Sequence, residues 1–215
     1  NISAGATILG SRDPDDFPLV ENISSTEPKL IHSSLINGSK LSNVAITGRG
    51  IIDGQGQVWW KLFRGKRLSY PRGNLIGLRE CKNVLIRDLT LKNSPFWTVG
   101  PIFCENVTID NLTILNPPDS PNTDGINPDS CRNVRISNCY VDAGDDCVAI
   151  KSGKQDDPRR VGKPCENIII ANCVMGRGHG GVVIGSEMSG GVKNVVVSNC
   201  VFNDTDRGIR IKTLR

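Results

Sequence analysis

Aromatic residues make up only 5% of this chain of 215 residues, and no apolar stretch approaches the roughly 20 residues that a membrane-spanning helix needs. Runs of basic residues are also missing, and the formal net charge is a mild +4. That charge suits a polyanionic substrate, but it is equally ordinary for a globular protein. The composition therefore argues against a nucleic-acid partner and against a membrane-embedded chain.

Metal-binding patterns are absent from the sequence as well. The two histidines, His32 and His179, have no ligand partners at suitable spacing, and no Cys-x-x-Cys motif occurs among the eight cysteines. Helical periodicity is hardly visible anywhere, whereas glycine is plentiful at 23 residues. We therefore expect no zinc site and a backbone that turns often.

The chain does contain a repeat that is centred on an asparagine. One clear copy is CKNVLIRDLTLKN, which begins at Cys81, and five more segments align with it. The shared asparagines are separated by 40, 23, 27, 34 and 27 residues. They are Asn43, Asn83, Asn106, Asn133, Asn167 and Asn194. The basic unit is thus about 23 to 27 residues long, and the two longer gaps hold insertions, around GQGQVWWKLFRGKRLSY and SGKQDDPRRVGKP.

Within each unit the apolar residues follow one spacing, as in Val84, Ile86, Leu89 and Leu91. The first and second pairs each have the period of two that is typical of a strand, and the odd step between them indicates a bend. Asparagine or aspartate occupies the bend, and both tolerate the left-handed backbone that such a corner needs. The bend residues are Asp88, Asn111, Asn138, Asn172 and Asn199.

Short strands, corners and a period of 23–27 residues predict an all-β fold, a single-stranded parallel β-helix in which each coil adds one rung. Stacked coils pair at about 4.8 Å and share a continuous core that one coil cannot form alone. The leucine-rich repeat is the competing solenoid, but its consensus is missing. We expect a single domain over residues 1–215, and its abrupt ends predict truncation at both ends.

The cysteines fall into register columns rather than into obvious pairs. Four lie two residues before a repeat asparagine, three share the inward position after the bend, and Cys147 stands alone. The even count leaves disulfides open, but buried free cysteine behaves as a small hydrophobe. We expect two ladders of reduced thiols, made of Cys81, Cys104, Cys131 and Cys165 and of Cys139, Cys173 and Cys200.

A third strand follows the bend pair in several coils. Its candidates are DGIN at 124–127, DDCVAIK at 145–151, HGGVVIG at 179–185 and RGIRIKT at 207–213. We align them on their first inward residues, which are Ile126, Val148, Val182 and Ile209. This register predicts that polar residues from distant parts of the chain meet on one outward face.

The predicted register puts Asp124 and Asp146 in one column, and it puts Asp145 and His179 in the next. Arg210 and Lys212 alternate with apolar residues, so they also point outward on that face. One such aspartate alone would be an ordinary solvated corner residue. Three acids in register repel one another, and the pKa of at least one should rise.

That set of side chains matches the needs of glycoside hydrolysis. The reaction requires one carboxylic acid and one carboxylate that activates water, and a raised pKa suits the general acid. A guanidinium and an ammonium nearby would bind a carboxylate of the substrate. The sequence therefore indicates a hydrolase of a sugar-acid polymer.

Four short motifs in this region also resemble a known family. NTD at 122–124, GDD at 144–146, GHG at 178–180 and RIK at 210–212 resemble the signatures of the polygalacturonases, glycoside hydrolase family 28. The upstream segments GATILGSRDPDDFP, ITGRGIIDGQGQVWW and NSPFWTVGPIFCENVTI are similar to the same family. The insertion SGKQDDPRRVGKPCENI resembles bacterial and plant members close to the exo-acting enzymes.

The resemblance implies a right-handed parallel β-helix that hydrolyses α-1,4-galacturonosyl bonds of pectin with inversion. It assigns the general acid to Asp145 and the activation of water to Asp124 and Asp146. His179 would support the protonation state of Asp145. Rung spacing alone leaves the stereochemistry open, because carboxylates about 5 Å apart are typical of retention and about 6.5–9.5 Å of inversion.

The resemblance also implies how the substrate binds. Arg210 and Lys212 would hold the galacturonate carboxylate, and Asn122 would position the cluster or the sugar. Neither a metal nor an organic cofactor is expected. The implied partner is a pectic polysaccharide or an oligogalacturonide, with no nucleic acid and no membrane, for a protein that is a monomer when full length. The implied location is outside the cell or in the cell wall, although these residues include no signal peptide.

Two alternatives remain open at this point. One is a related hydrolase of rhamnogalacturonan or xylogalacturonan, which RIK disfavours because it indicates a galacturonate at the cleavage site. The other is a non-catalytic, carbohydrate-binding β-helix, which has no reason to keep the acids and His179 in register. The first insertion adds Trp59 and Trp60, whose rings would either stack on sugars or pack its loop onto the helix wall.

Overall fold

A computed structural model describes residues 1–22, 29–154, 157, 159 and 162–213. In these residues it contains 21 strands, a single α-helix of eight residues and one short 3-10 turn at Pro14–Asp16. Parallel pairing joins all but two of the strands. The predicted all-β parallel helix is confirmed.

Three parallel walls run along the coil axis. The first is a six-stranded sheet formed by the first strand of each repeat. It contains β5 (Ser42–Thr47), β8 (Lys82–Arg87), β11 (Glu105–Asp110), β13 (Arg132–Ser137), β16 (Cys165–Ala171) and β19 (Val192–Ser198). The second has seven strands. It contains β1 (Thr7–Leu9), β6 (Ile51–Asp53), β9 (Thr90–Lys92), β12 (Thr113–Leu115), β14 (Tyr140–Asp142), β17 (Val174–Met175) and β20 (Val201–Phe202).

The third wall carries the polar face. It contains β4 (Ile36–Ser39), β7 (Ile76–Arg79), β10 (Val99–Ile102), β15 (Asp146–Ile150), β18 (Gly180–Ile184) and β21 (Ile209–Ile211). Residues 126–129 join its two halves, because Ile126 pairs with Val99 on one side and with Val148 on the other. The only antiparallel pair among the described strands is β2 (Leu19–Glu21) with β3 (Leu30–His32).

The repeat spacing becomes the register of the first wall. Val84 of β8 pairs with Val107 of β11, which pairs in turn with Val134 of β13. These residues and their equivalents at the other inward positions of the central coils are buried in one continuous core. One coil buries little on its own, so the core exists because each rung covers the next.

An asparagine ladder forms one edge of the coil. Each repeat asparagine has a positive φ of 55° to 59°. Each of them after Asn43 donates from Nδ2 to Oδ1 of the preceding one, at 3.0 or 3.1 Å. The bend residues also have positive φ values, from 51° to 67°, as predicted. The side-chain bonds offset the cost of the left-handed backbone, and asparagine is suited to both tasks.

All eight cysteines are thiols that form no disulfide with one another, and seven of them are buried. They stack by register as predicted, and the backbone N–H of Cys81 donates to Sγ of Cys104 at 3.4 Å. Their side chains fill small inward positions of the core beside valine and isoleucine. The ladders therefore act as ordinary core packing.

The first insertion was predicted as a loop, and that prediction is wrong in part. Residues Gln57–Arg64 form helix α1, which ends where the N–H of Gly65 donates to the carbonyl of Lys61. Trp59 and Trp60 are almost fully buried, and Nε1 of Trp60 donates to the carbonyl of Ser94 at 3.0 Å. The tryptophans thus pack the insertion onto the coil rather than stack on a sugar.

No helix in the described part of the chain is long and apolar enough to cross a membrane.

Candidate active site

The third wall has the predicted register. Ile126 pairs with Val148, Val148 with Val182, and Val182 with Ile209. Asp124 and Asp146 consequently lie on neighbouring rungs, where the N–H of Gly125 donates to the carbonyl of Asp146 at 2.9 Å. The side chain of Ile209 is 62% exposed, because β21 is the outermost described strand of its sheet.

Asp145 and His179 meet in the adjacent column. Nδ1 of His179 lies 3.2 Å from Oδ1 of Asp145, and the His179 N–H donates to the Asp145 carbonyl at 2.8 Å. Gly178 makes this approach possible, because a Cβ there would lie 2.7 Å from the carbonyl oxygen of Asp145. Asp145 is half-buried and His179 is exposed, so solvent and a substrate can reach this pair.

Asp124 is the most strongly perturbed acid of the site. Its side chain is almost fully buried, and it accepts a hydrogen bond from Nδ2 of Asn127 at 2.6 Å. Burial, with smaller contributions from Asp145 and Asp146, raises the pKa of Asp124 from 3.8 to about 7, although Lys151 and Asn127 pull it down. The expected rise in pKa is therefore present on Asp124, whereas the resemblance makes Asp145 the general acid.

A buried ion pair supports Asp124, and the sequence analysis missed it. Nζ of Lys151 lies 3.9 Å from Oδ2 of Asp124 and 2.9 Å from Oε2 of Glu187. Burial opposes the charge on Lys151, but its two acidic partners outweigh that effect and raise its pKa. The strand alternation that places Arg210 on this face also applies to Lys151, so a signal for it was present.

Asp146 has one engaged and one free carboxylate oxygen. Oδ2 accepts from Nζ of Lys212 at 2.5 Å, and the side chain is nearly inaccessible. Oδ1 is buried and has no hydrogen-bond partner among the described residues. Lys212 thus contacts an acid of the site rather than standing free, and a substrate carboxylate would have to share it.

The two remaining predicted residues lie at the edges of the site. Arg210 is half-buried on β21, opposite Val183, and its guanidinium makes no hydrogen bond or ion pair within the described ranges. Asn122 has a positive φ of 56° and accepts at Oδ1 from Nη2 of Arg72 at 2.8 Å. Arg210 is therefore available to bind an anion, whereas the side-chain oxygen of Asn122 is occupied.

Arg72 holds the loop that leads to Asp124, and the sequence analysis also missed it. Its guanidinium is buried and donates to the carbonyls of Pro95 and Pro121 as well as to Asn122. Burial lowers the pKa of Arg72 to about 10. Three distant segments converge on this one side chain, and no periodic pattern in the sequence marks it.

The assembled group contains two acid environments on neighbouring rungs. One is a half-buried acid with an imidazole partner, and the other is a buried pair of acids with cationic neighbours. Such a group can donate a proton on one side of a sugar bond and accept one from water on the other. No three potential metal ligands among the described side chains are grouped to hold a metal ion.

Comparison with known proteins connects this geometry to a family. The model of glycosyl hydrolases family 28 matches residues 20–215. A probable polygalacturonase from Vitis vinifera is 43% identical over 215 residues, which cover 97% of this chain and 44% of that protein. A Thermotoga maritima exopolygalacturonase structure superposes with a TM-score of 0.87 at 34% identity, covering 99% of this chain and 56% of its own.

A second solved structure agrees with the first. The polygalacturonase from Erwinia carotovora has a TM-score of 0.84 and 32% identity, over 99% of this chain and 58% of its own. This chain thus spans somewhat less than half of the grapevine relative and just over half of the two bacterial structures.

Proposed function

We propose a function from one premise: this chain belongs to glycosyl hydrolases family 28. The protein that contains it hydrolyses α-1,4-galacturonosyl bonds of pectin or polygalacturonate. One observation carries the proposal, which is the register that brings Asp124, Asp145, Asp146 and His179 together on neighbouring rungs of one wall. A binding module has no use for a buried acid with a pKa of about 7 beside a second acid.

Asp145 acts as the general acid in this proposal. It is the most accessible of the three acids, so its proton can reach the glycosidic oxygen of a bound chain. Asp145 transfers its proton to the glycosidic oxygen as the bond to the anomeric carbon breaks. Nδ1 of His179, 3.2 Å from Oδ1 of Asp145, donates its N–H to that oxygen, so it orients the acid and stabilises the carboxylate that forms.

Asp124 and Asp146 activate the attacking water. The raised pKa of Asp124 makes it a stronger base than an ordinary carboxylate, and Asp146 supplies a second carboxylate on the neighbouring rung. Water activated by this pair attacks the anomeric carbon from the face opposite the leaving group, which inverts the configuration. The buried Lys151 limits the pKa of Asp124, so that part of the protein carries an ionised base near neutral pH.

Arg210 and Lys212 bind the carboxylate of the galacturonosyl unit at the cleavage site. Arg210 has no competing partner among the described residues, and its planar guanidinium suits a carboxylate. Lys212 bridges the substrate carboxylate and Asp146. Asn122 acts indirectly in this scheme: its bond to Arg72 fixes the loop that carries Asp124.

The partner and location follow from the same proposal. The substrate is a pectic polysaccharide or its oligogalacturonides, and the protein acts as a secreted or cell-wall monomer in its full-length form. The related proteins from grapevine and from the two bacteria are all named as polygalacturonases, which supports this substrate class.

The release of reducing ends from polygalacturonate tests the proposal. The intact protein that contains this chain should produce them, and Asp145→Asn should lower kcat by at least about a hundredfold because general acid catalysis is lost. Asp15→Asn, on an exposed turn outside this wall, is the matched control and should keep the wild-type rate. No product from the intact protein would contradict the proposal and leave only a binding role, whereas full activity in Asp145→Asn would contradict the role of Asp145 as the general acid.

A further inference from the structure

A stacked pair of aromatic rings lies next to the buried ammonium of Lys151. The rings of Phe96 and Trp97 have centroids 4.9 Å apart, and their planes are inclined by 18°. Nζ of Lys151 lies 4.8 Å from the centre of the Trp97 ring. We propose that Trp97 is a positioning residue for the water-activating acid, because its ring holds the ammonium of Lys151 beside Asp124. This inference rests on the proposed function and adds a residue to it.

The ring and the ammonium come from the two rungs on either side of Asp124. Trp97 lies one rung before Asp124, because the N–H of Thr98 donates to the Asp124 carbonyl at 2.8 Å. Lys151 lies one rung after it, since its coil pairs with residues 126–129. Rungs lie about 4.8 Å apart, so the backbones of these two rungs are separated by about 10 Å. The two long side chains therefore meet across the rung that carries the acid.

Three groups share the ammonium of Lys151. Oε2 of Glu187 is the nearest at 2.9 Å, Oδ2 of Asp124 lies at 3.9 Å, and the Trp97 ring is the third. The Lys151 side chain is only 6% exposed, and an aromatic face attracts a desolvated ammonium more strongly than an exposed one. Without the ring, Nζ would be free to move toward Glu187, the closer acid, and away from Asp124.

The ring contacts continue to Arg72 and to the first insertion. Cζ of Arg72 lies 5.0 Å from the centre of the Phe96 ring and 3.9 Å from that of Phe63, on helix α1. The same guanidinium donates hydrogen bonds to the loop that precedes Asp124. Cations and rings thus alternate from helix α1 to Lys151, and this chain of contacts fixes the ring pair from the side of the insertion as well.

Other charged groups also face Asp124 and Lys151. Besides burial, which is the largest effect, Asp145 and Asp146 raise the pKa of Asp124, and Asp146 is itself paired with Lys212. The charged groups that face Lys151 or the other acids of this cluster further include His179, Glu187 and Lys154. Replacement of the ring by another uncharged side chain alters none of these charges, so a change in the pKa of Asp124 reports the position of Lys151.

The pH dependence of kcat/KM for polygalacturonate measures the effect of the ring. In Trp97→Leu of the intact protein the acidic limb should move up by about half a pH unit, so kcat/KM should fall about threefold below the limb and stay unchanged above it. Loss of structure or of a sugar contact would instead lower kcat/KM at every pH. Trp97→Phe keeps an aromatic face and should restore most of the wild-type profile. A limb that stays in place or moves down in Trp97→Leu would overturn the inference.

Fluorinated tryptophans at position 97 separate the charge distribution of the ring from its size. Successive fluorines withdraw electron density from the ring and weaken its attraction for a cation, while its shape changes little. The acidic limb should therefore move up step by step from tryptophan to its mono-, di- and trifluorinated forms. A limb that does not respond to fluorination would show that the ring acts only by excluding water, which would contradict the inference.

A second contact between a lysine and a ring provides the matched control. Nζ of Lys163 lies 4.8 Å from the centre of the Phe103 ring, the same distance as between Lys151 and Trp97. Phe103 lies at the turn between β10 and β11. Phe103→Leu should therefore keep the wild-type pH profile. An equal shift of the limb in Phe103→Leu would contradict the inference, because the effect would then not depend on Lys151.

A titration without substrate separates this inference from the proposed function. The carboxyl NMR resonance of Asp124, identified by its absence from Asp124→Asn, should titrate about half a pH unit higher in Trp97→Leu than in the wild type. That shift in a protein without hydrolytic activity would refute only the proposed function. Hydrolysis by the wild type, with the same Asp124 titration in both proteins, would refute only the role of Trp97.

Discussion

Nζ of Lys151 lies 3.9 Å from Oδ2 of Asp124, and both side chains are at least nine-tenths buried. The two charges are on adjoining coils, since the strands that carry them pair at Ile126 and Val148. A buried acid without a cation would be far harder to ionise, because desolvation disfavours the charged form. Lys151 therefore holds Asp124 at a pKa where it can work as a base.

Removal of this cation should shift the pH dependence of catalysis. In Lys151→Met the pKa of Asp124 rises further, so the acidic limb of kcat/KM against pH should move up by about one unit. Glu187 would be left unpaired in that variant, so Lys151→Met/Glu187→Gln should be measured beside it. Lys193→Met, whose partner Glu166 lies on the first wall, is the control. An acidic limb that stays at the wild-type pH in both Lys151 variants would contradict this role.

The buried acid should also reduce stability at high pH. Folding raises the pKa of Asp124 from 3.8 to about 7, so the folded protein holds this proton more tightly than the unfolded chain. Its contribution is fully present below about pH 4 and is lost as the pH rises through about 7. Asp124→Asn removes that loss, and its free energy of unfolding should exceed the wild type at pH 8 by at most about 4 kcal/mol.

Thermal or urea unfolding of Asp124→Asn at pH 4 and at pH 8 measures this effect. The advantage of the variant should be small at pH 4 and large at pH 8, while its hydrolytic activity is lost. An equal difference between variant and wild type at both pH values would show that the charge on Asp124 has no energetic cost.

The asparagine ladder should contribute measurably to stability. Asn133 donates to Asn106 and accepts from Asn167, and its φ is 58°. Asn133→Ala loses both side-chain bonds and puts a Cβ without compensation in the left-handed region, which together should cost about 2–3 kcal/mol. Asn133→Gly should recover about 1 kcal/mol of that, because glycine adopts this φ freely.

Urea denaturation of these variants checks the ladder. Asn194→Ala is the internal comparison, because Asn194 is the last described member and makes only one of these bonds, to Asn167. It should cost less than Asn133→Ala by about 1 kcal/mol. Equal costs at the two positions would mean that the bonds between asparagines add nothing beyond the backbone effect.

The stereochemistry of the product tests the role of the water-activating pair. If Asp124 and Asp146 direct water to the face opposite the leaving group, the first product from an α-linked chain is the β-anomer. Proton NMR during the first turnovers distinguishes the anomers before mutarotation mixes them. Initial release of the α-anomer would indicate retention, and one of the aspartates would then be a nucleophile.

Periodic features were predictable from the sequence because they repeat. The inward positions, the bends and the columns of the third wall follow from one spacing, so Val84 and Val107 had to pair once the coil was recognised. The same logic placed Asp124, Asp145, Asp146 and His179 correctly, although they are up to 55 residues apart. A prediction from the strand register requires only that each coil brings the chain back to the same position on the wall.

Non-periodic features were not predictable in this way. Helix α1 lies in an insertion that has no counterpart in the other repeats, so the repeat pattern cannot predict its structure. The β2–β3 ribbon also lies outside the repeat. Arg72 donates hydrogen bonds to carbonyl oxygens of two other segments, and the sequence distances between these segments and Arg72 do not follow the repeat. The raised pKa of Asp124 comes mainly from its burial, which depends on covering side chains that the repeat does not specify.

A crystal structure of the intact Asp145→Asn protein with a tetragalacturonate tests the central claim most directly. We expect the oligomer along the third wall, with a glycosidic oxygen within hydrogen-bonding distance of Asn at position 145 and a carboxylate on Arg210. A sugar chain bound to either of the other two walls, or one whose glycosidic oxygens all lie far from Asp124, would contradict it.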